Sequence, residues 1–318
     1  MNIINEHKWW LISFVLAILL YAGYLFIIAP PSNFPQDKII VIERGASISE
    51  ISQELSDSRI ISKAILFRFV MRASGRSSSV QAGTYRFNNP ENLLVIAYRL
   101  VAGEYNIPPT RVTLVEGLTV REVANKIAEI MPAISSVDFI NEAKQYEGYL
   151  FPDTYLFSPD SNVESVVTSM RANFSAKTSV ILDKISVSEH SFSDVVIMAS
   201  LLEKEARSTE VRRIVAGILW NRLKLGMPLQ VDAVFGYIFN RDTYSPSLAD
   251  LKIDSPYNTY LHTGLPPGPI NNPGLDALLS AVTPVETNYL YYLTDKNGVM
   301  HYATTYSSHL SNQRKYLR

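Results

Sequence analysis

Hydrophobic and polar positions change their rhythm several times along this chain. From Trp9 to Ile28 the residues are apolar almost without interruption. That run is about 20 residues, enough for a helix to span a hydrocarbon core of roughly 30 Å. Trp9 and Trp10 stand at one end and Tyr21 and Tyr24 toward the other, where membrane interfaces favour aromatic rings. A cleaved export signal would need a shorter apolar run and a small-x-small site. Ile27-Ile28-Ala29-Pro30 does not supply one. Lys8 precedes the run and no basic residue follows until Lys38, which favours an inside amino terminus. The expectation is a cytoplasmic tail over residues 1–8, a retained transmembrane helix over 9–29 and a stiff polar linker over 30–37.

Beyond the linker, short strands alternate with helices. Lys38 to Glu43 reads as a strand. Ser47 and Glu50 then form a capping box that opens a helix. A second helix is expected from Lys63 to Arg72, a strand near Ala82 to Phe87, and a helix from Leu93 to Val101. The opening then recurs: a strand at Val112 to Glu116, then Gly117-Leu118-Thr119-Val120-Arg121-Glu122-Val123, with Thr119 and Glu122 as the second capping box. Further helices are expected at Val163 to Phe174 and at Asp194 to Leu225, the latter broken near Ser208. A short helix at Leu275 to Ala281 follows. The chain should close with a strand at Tyr289 to Thr294, a turn over Asp295 to Gly298, a returning strand at Met300 to Thr304 and a helix from Ser308 to Leu317. The fold class is α+β.

Composition narrows the chemistry. The 318 residues have a net charge of −1, which removes the electrostatic case for nucleic acid. With no cysteine, disulfides and thiolate metal sites are excluded. The five histidines (His7, His190, His262, His301 and His309) show no metal-binding spacing, so no metal is expected.

One helix draws attention. In Val195 to Arg207 the stripe Val195, Ala199, Leu202 and Ala206 faces inward. Glu203 and Glu205 fall about 200° apart on the helical wheel, so they cannot face one substrate together. Glu203 has Arg207 at i+4, an ion-pair spacing. Glu205 lies beside Met198 and Leu202 and has only Thr209 at i+4. Apolar neighbours disfavour a carboxylate, raise its pKa and suit it to general acid work. The ordinary role of a helical glutamate is a solvated surface group, and the wheel alone does not remove that alternative. The segment Ser255 to Pro273, dense in proline, glycine, asparagine and tyrosine, is a long loop of the kind that is either functional or a rigid brace.

Four runs taken in order carry a resemblance. EGYLFPDTY, ASLLEKEA (Ala199 to Ala206), NRLKLGMPLQVD (Asn221 to Asp232) and SPYNTYLHTGLPPGPINNPG together resemble the MltG, or YceG-like, family of endolytic lytic transglycosylases. The resemblance implies a single transmembrane helix in a bacterial inner membrane, a LysM-like glycan-binding module over residues 38–106 and an extracytoplasmic catalytic domain over 107–318. It implies Glu205, the second glutamate of Glu-Lys-Glu, as the catalytic acid. Asp153, Tyr155, Gln230, Asp232, Tyr257, Asn258 and Thr259 are then candidate substrate-binding residues. The implied partners are peptidoglycan strands, membrane lipid and the glycan-polymerising synthases, with no cofactor. Such an enzyme needs one carboxyl group, and no second carboxylate shares a helix face with Glu205. A non-catalytic peptidoglycan-binding adaptor and a hydrolytic muramidase remain alternatives.

Overall fold

The computed structural model describes residues 10, 12–19, 21, 23–24, 28–241 and 245–317. Much of the Trp9 to Ile28 run, including Trp9, Leu11, Leu20, Ala22 and residues 25–27, lies outside them. The described residues from 10 to 24 are helical, with Phe14, Leu16 and Leu19 exposed. Among the described residues no helix is long and apolar enough to cross a membrane. The fold is α+β, with three two-stranded antiparallel sheets among the described residues. The chain divides into two compact units, residues 1–109 with 158–160, and residues 110–157 with 161–318.

The first unit is built on strand β1 (Lys38–Ile42), helices α1 (Ile48–Asp57) and α2 (Ala64–Ala73), strand β2 (Gly83–Phe87) and helix α3 (Leu93–Ala102). Both hydrogen bonds of the Ser47–Glu50 capping box form, satisfying backbone N–H groups that the first helical turn would otherwise leave unpaired. β1 and β2 pair antiparallel, Lys38 opposite Phe87 and Ile42 opposite Gly83. Alternate residues Ile40, Ile42, Tyr85 and Phe87 turn inward onto Leu55, Phe67, Ile96 and Leu100. Arg99 is buried and compensated. It pairs with Glu91 at 2.7 Å and donates to the carbonyls of Arg86 and Glu104. Ser158 to Asp160 return to this unit, where Asp160 accepts from the Thr84 N–H. No sequence signal points to that return.

The second unit opens with the same order of elements: β3 (Thr110–Thr113), α4 (Val120–Ile130), α5 (Ser136–Ala143) and β4 (Thr154–Phe157). β3 and β4 again pair antiparallel. Gly117, like Gly45 before the first capping box, holds a left-handed φ (78° and 83°), and the Thr119–Glu122 box is fully formed. The strand at Thr110–Thr113 starts and ends earlier than the apolar run Val112 to Glu116 suggests. Glu116 instead leaves the sheet, and its carboxyl rests against Gly274.

Helices α6 (Val163–Thr178), α7 (Leu182–Ser186), α8 (Phe192–Glu205), α9 (Thr209–Lys224), α10 (Ala233–Phe239) and α11 (Leu275–Val282) follow. The hairpin β5 (Tyr291–Thr294) and β6 (Met300–Ala303) and helix α12 (Tyr306–Tyr316) close the chain. The expected break near Ser208 is present, and the Ser208 side chain caps α9. The expected single inward stripe on α8 is not what forms. Every residue from Val195 to Leu202 is buried, because α9, α10 and α11 surround the helix.

Candidate active site

Helix α8 is buried until its last turn, and there its two glutamates part. Glu203 turns inward. Its Oε1 accepts from Arg212 of α9 at 2.6 Å, and its Oε2 from the Gly274 N–H at 2.9 Å. Arg212 also pairs with Asp276 and donates to the Ala206 carbonyl. The Arg207 partner expected from i+4 spacing is thus replaced by Arg212, nine residues on. The helix ends at Glu205 with Ala206 extended, so Arg207 no longer lies one turn above Glu203. Burial pushes the Glu203 carboxyl up, against the Gly274 N–H and the Arg212 charge.

Glu205 turns the opposite way. Its Oε2 accepts a hydrogen bond from the Tyr292 hydroxyl of β5 at 2.9 Å. Burial pushes its pKa up and the negative charge of Asp232 adds to that. The Tyr292 hydroxyl and the Ala233 N–H pull the other way, since both favour the carboxylate. The result is a carboxyl held above the ordinary range yet supplied with donors for the moment it ionises.

Two cavities meet at this carboxyl. The first, of about 280 Å³, is walled by Thr119, Arg121 and Glu122 at the start of α4, by Lys204, and by Tyr237, Asn240 and Arg241 at the end of α10. The second, of about 380 Å³, is walled by Arg222, Gln230, Tyr260, Tyr291, Tyr292 and the α12 side chains Tyr306, His309 and Gln313. Glu205 and Asp232 line both. A second carboxylate therefore shares the site with Glu205, brought from outside the helix on which the wheel was drawn. Tyr260 donates to Asp232 Oδ1 at 2.5 Å.

The other candidate residues are distributed unevenly. Gln230 lines the second cavity with a left-handed backbone (φ 53°), unusual for a residue with a side chain and the kind of local strain that gathers at functional sites. Tyr257 packs against Tyr237 of the first cavity, ring centroids 4.9 Å apart. Asn258 and Thr259 are buried with their polar atoms engaged inside the fold. Asn258 Nδ2 donates to the Leu251 and Ile253 carbonyls, and Thr259 Oγ1 bonds the backbone of Val231. Asp153 and Tyr155 are not among the residues lining either cavity. Asp153 is bound to Asn173 and Lys177 of α6, and Tyr155 donates to the Phe151 carbonyl, burial pushing its hydroxyl up to about 12.

Sequence reasoning missed three residues that fix this geometry. Asn272 accepts from the Leu150 N–H and donates to the Leu118 carbonyl and to Glu147. Glu147 accepts the Val120 N–H, the first of α4, at 3.0 Å. Together they tie the start of α4 to the EGYL run and the NNPG run. Burial outweighs that N–H and pushes Glu147 up from 4.5 to about 8. Arg222 sends its guanidinium to the Leu290 and Leu229 carbonyls, anchoring β5 and its Tyr292. The only signal available was these residues' membership of the four quoted runs.

A family model described as YceG-like matches residues 40–315. The chain belongs to the YceG-like family. Curated relatives named endolytic murein transglycosylase include one from Bacillus subtilis, 31% identical over 305 residues and covering 87% of this chain and 84% of that one. Another, from Streptococcus pneumoniae, is 26% identical over 356 residues, covering 96% of this chain and 64% of that protein. A crystal structure of a yceG-like protein from Listeria monocytogenes aligns with a TM-score of 0.59 at 29% identity, over 87% of this chain and 99% of that chain. The YceG-like match takes in most of both units and every residue of the site described above.

Two substitutions probe the scaffold. Glu203→Gln breaks a buried ion pair and leaves the Arg212 charge incompletely matched, so stability should fall by about 3–5 kcal/mol, read as a lower denaturant midpoint. Removal of a solvated pair would leave that midpoint unchanged. Glu147 has a folded-state pKa raised from 4.5 to about 8. Its contribution is therefore fully present below pH 4.5 and is lost as pH rises toward 8. Glu147→Gln should flatten the fall in stability between pH 5 and pH 8, measured by denaturant melts at both; an unchanged slope would refute the assignment.

Proposed function

We propose that this chain is an endolytic murein transglycosylase, cutting within peptidoglycan glycan strands, with Glu205 as its acid. The observation that carries the reading is a single raised carboxyl at the meeting of two cavities. A strand can extend away from it on both sides, as internal cleavage requires. The protonated Glu205 donates to the glycosidic oxygen between N-acetylmuramic acid and N-acetylglucosamine. The C1–O bond breaks and positive charge grows at C1 and the ring oxygen. The Glu205 carboxylate, stabilised by Tyr292 and Ala233, then takes the proton of the muramoyl C6 hydroxyl as that oxygen closes on C1. The product is a 1,6-anhydromuramoyl end; the proton returns to Glu205 and no water is consumed. Asp232, held by Tyr260, offers negative charge to the cationic transition state, and Gln230 and Tyr257 contact the sugars.

Asp232 also favours a second reading. Two carboxylates on one cleft are the usual equipment of hydrolysis, so a muramidase would use the same wall. Mass spectrometry of digested glycan separates the two: anhydro ends are expected, and reducing ends alone would overturn the lytic reading. Glu205→Gln should lower cleavage by about 10²–10⁴-fold or more, since one group serves both half-reactions. Because the active form is the protonated acid, kcat/KM should fall as pH rises through a value above the ordinary carboxylate range.

The same reading places the first unit as a LysM-like module that holds the strand. Its separate core and a cleft of about 540 Å³ between β1 and α1 support that role. The apolar amino-terminal run would retain the protein in the inner membrane with both units outside, near the synthases. In cell fractionation the full chain should pellet with membranes and resist extraction by salt; a freely soluble mature form would count against anchoring.

A further inference from the structure

The two cavities that share Glu205 differ in chemistry. The first collects cationic side chains from three elements: Arg121 on α4, Lys204 on α8 and Arg241 after α10. Arg121 Nε donates to Asn240 Oδ1 at 3.1 Å, which holds the guanidinium at the wall. Of the carboxylates beside Glu205, Glu122 accepts at the helix start from the Thr119 N–H at 2.8 Å and hydroxyl at 3.0 Å, and Asp232 accepts from the Tyr260 hydroxyl. The second cavity is lined by four tyrosines, Tyr260, Tyr291, Tyr292 and Tyr306. Its one cation among the lining residues, Arg222, directs its guanidinium to backbone carbonyls and over the Tyr291 ring at 5.1 Å. Tyr306 is 59% exposed and packs with Tyr291 and His309 into an open aromatic surface.

Murein alternates two sugars of different charge. N-acetylmuramic acid carries a lactyl group ending in a carboxylate or an acidic peptide. N-acetylglucosamine is neutral, with apolar C–H faces that stack on aromatic rings. We propose that the first cavity is an anion-recognising subsite for the muramoyl residue and its carboxylate, and the second a tyrosine-lined subsite for the neutral N-acetylglucosamine. The strand then crosses Glu205 in one direction. Its muramoyl C1 faces α4 and α10, and the departing sugar faces the β5–β6 hairpin and α12. This assignment rests on the transglycosylase reading and adds a polarity to it.

Binding tests it apart from cleavage. The probe is a trisaccharide with one muramoyl residue between two N-acetylglucosamines, used with a free lactyl carboxylate or as its neutral methyl amide. Full-length Glu205→Gln protein serves as receptor, so that no turnover intervenes. A charge-assisted contact is worth about 10- to 100-fold, and amidation should weaken binding by that factor. Adding Arg121→Gln should weaken the acid form and remove most of the difference between the two probes. Adding Tyr306→Ala should weaken both probes equally. Equal affinity for the two probes, or a difference that survives Arg121→Gln and disappears in Tyr306→Ala, would overturn the assignment. Charge-selective binding in a protein whose wild-type form leaves glycan uncut would instead uphold the subsites and sink the transglycosylase reading.

Discussion

The ion pair between Glu203 and Arg212 decides where the central helix stops and which way its last carboxyl points. Helix α8 is surrounded by apolar side chains for most of its length, and such a helix could end at several places at little cost. A buried charge cannot be so indifferent. Glu203 is 6% exposed at its side chain and must meet Arg212, while Arg212 must also reach Asp276 and the Ala206 carbonyl. Satisfying all of these requires Ala206 to leave the helix and α9 to begin three residues later, at Thr209. Glu205 is then the final helical residue, turned to the side opposite Glu203, where the wall opens. The position of Glu205 thus follows from Glu203, which lines neither cavity.

The electrostatics of Glu205 suit the proposed mechanism, in which one carboxyl would serve twice. A general acid needs a raised pKa, and burial beside the Asp232 charge provides it. A general base must exist as the carboxylate an instant later, and burial alone would oppose that. The Tyr292 hydroxyl and the Ala233 N–H are donors to the ionised form. Tyr292 keeps its proton and so remains a donor to Glu205, because burial and Glu205 itself hold its hydroxyl well above its ordinary value. The two sets of interactions push in opposite directions. Arg222 belongs to this balance at one remove, since it fixes the strand that delivers Tyr292.

Local rules were legible and distant partners were not. Both capping boxes, the break at Ser208 and the β5–β6 hairpin depend on residues within a few positions of one another, so the sequence displays them directly. The angular separation of Glu203 and Glu205 is also local, and the structure keeps it. What failed was each inference that needed a partner from elsewhere. Arg207 sits at the right spacing only if the helix continues, and it does not. Asp232 could not be seen as a neighbour of Glu205 from a wheel drawn for one helix. Asn258 and Thr259 looked like groups for a ligand because the loop around them is polar. Their amide and hydroxyl instead replace the backbone pairing that a segment without helix or strand lacks. Polarity in a loop does not distinguish a ligand contact from an internal brace; burial does.

The two copies of the strand–helix–helix–strand order use their capped helix starts differently. In the first copy the capped helix start faces a cleft within its own small unit. In the second, the helix start is bound from behind by Glu147 and Asn272 and presents Thr119 and Arg121 to the cavity beside Glu205. A helix N-terminus carries partial positive charge, and an arginine just inside it adds a full one. Glu147 lies against that same terminus, and were it ionised it would cancel much of the field. Its raised pKa means the carboxyl is largely neutral below about pH 8, so it supports the backbone without opposing the charge in front of it. In the second copy, then, burial favours the neutral form of the carboxyl that braces the helix start, where a full negative charge would oppose Arg121.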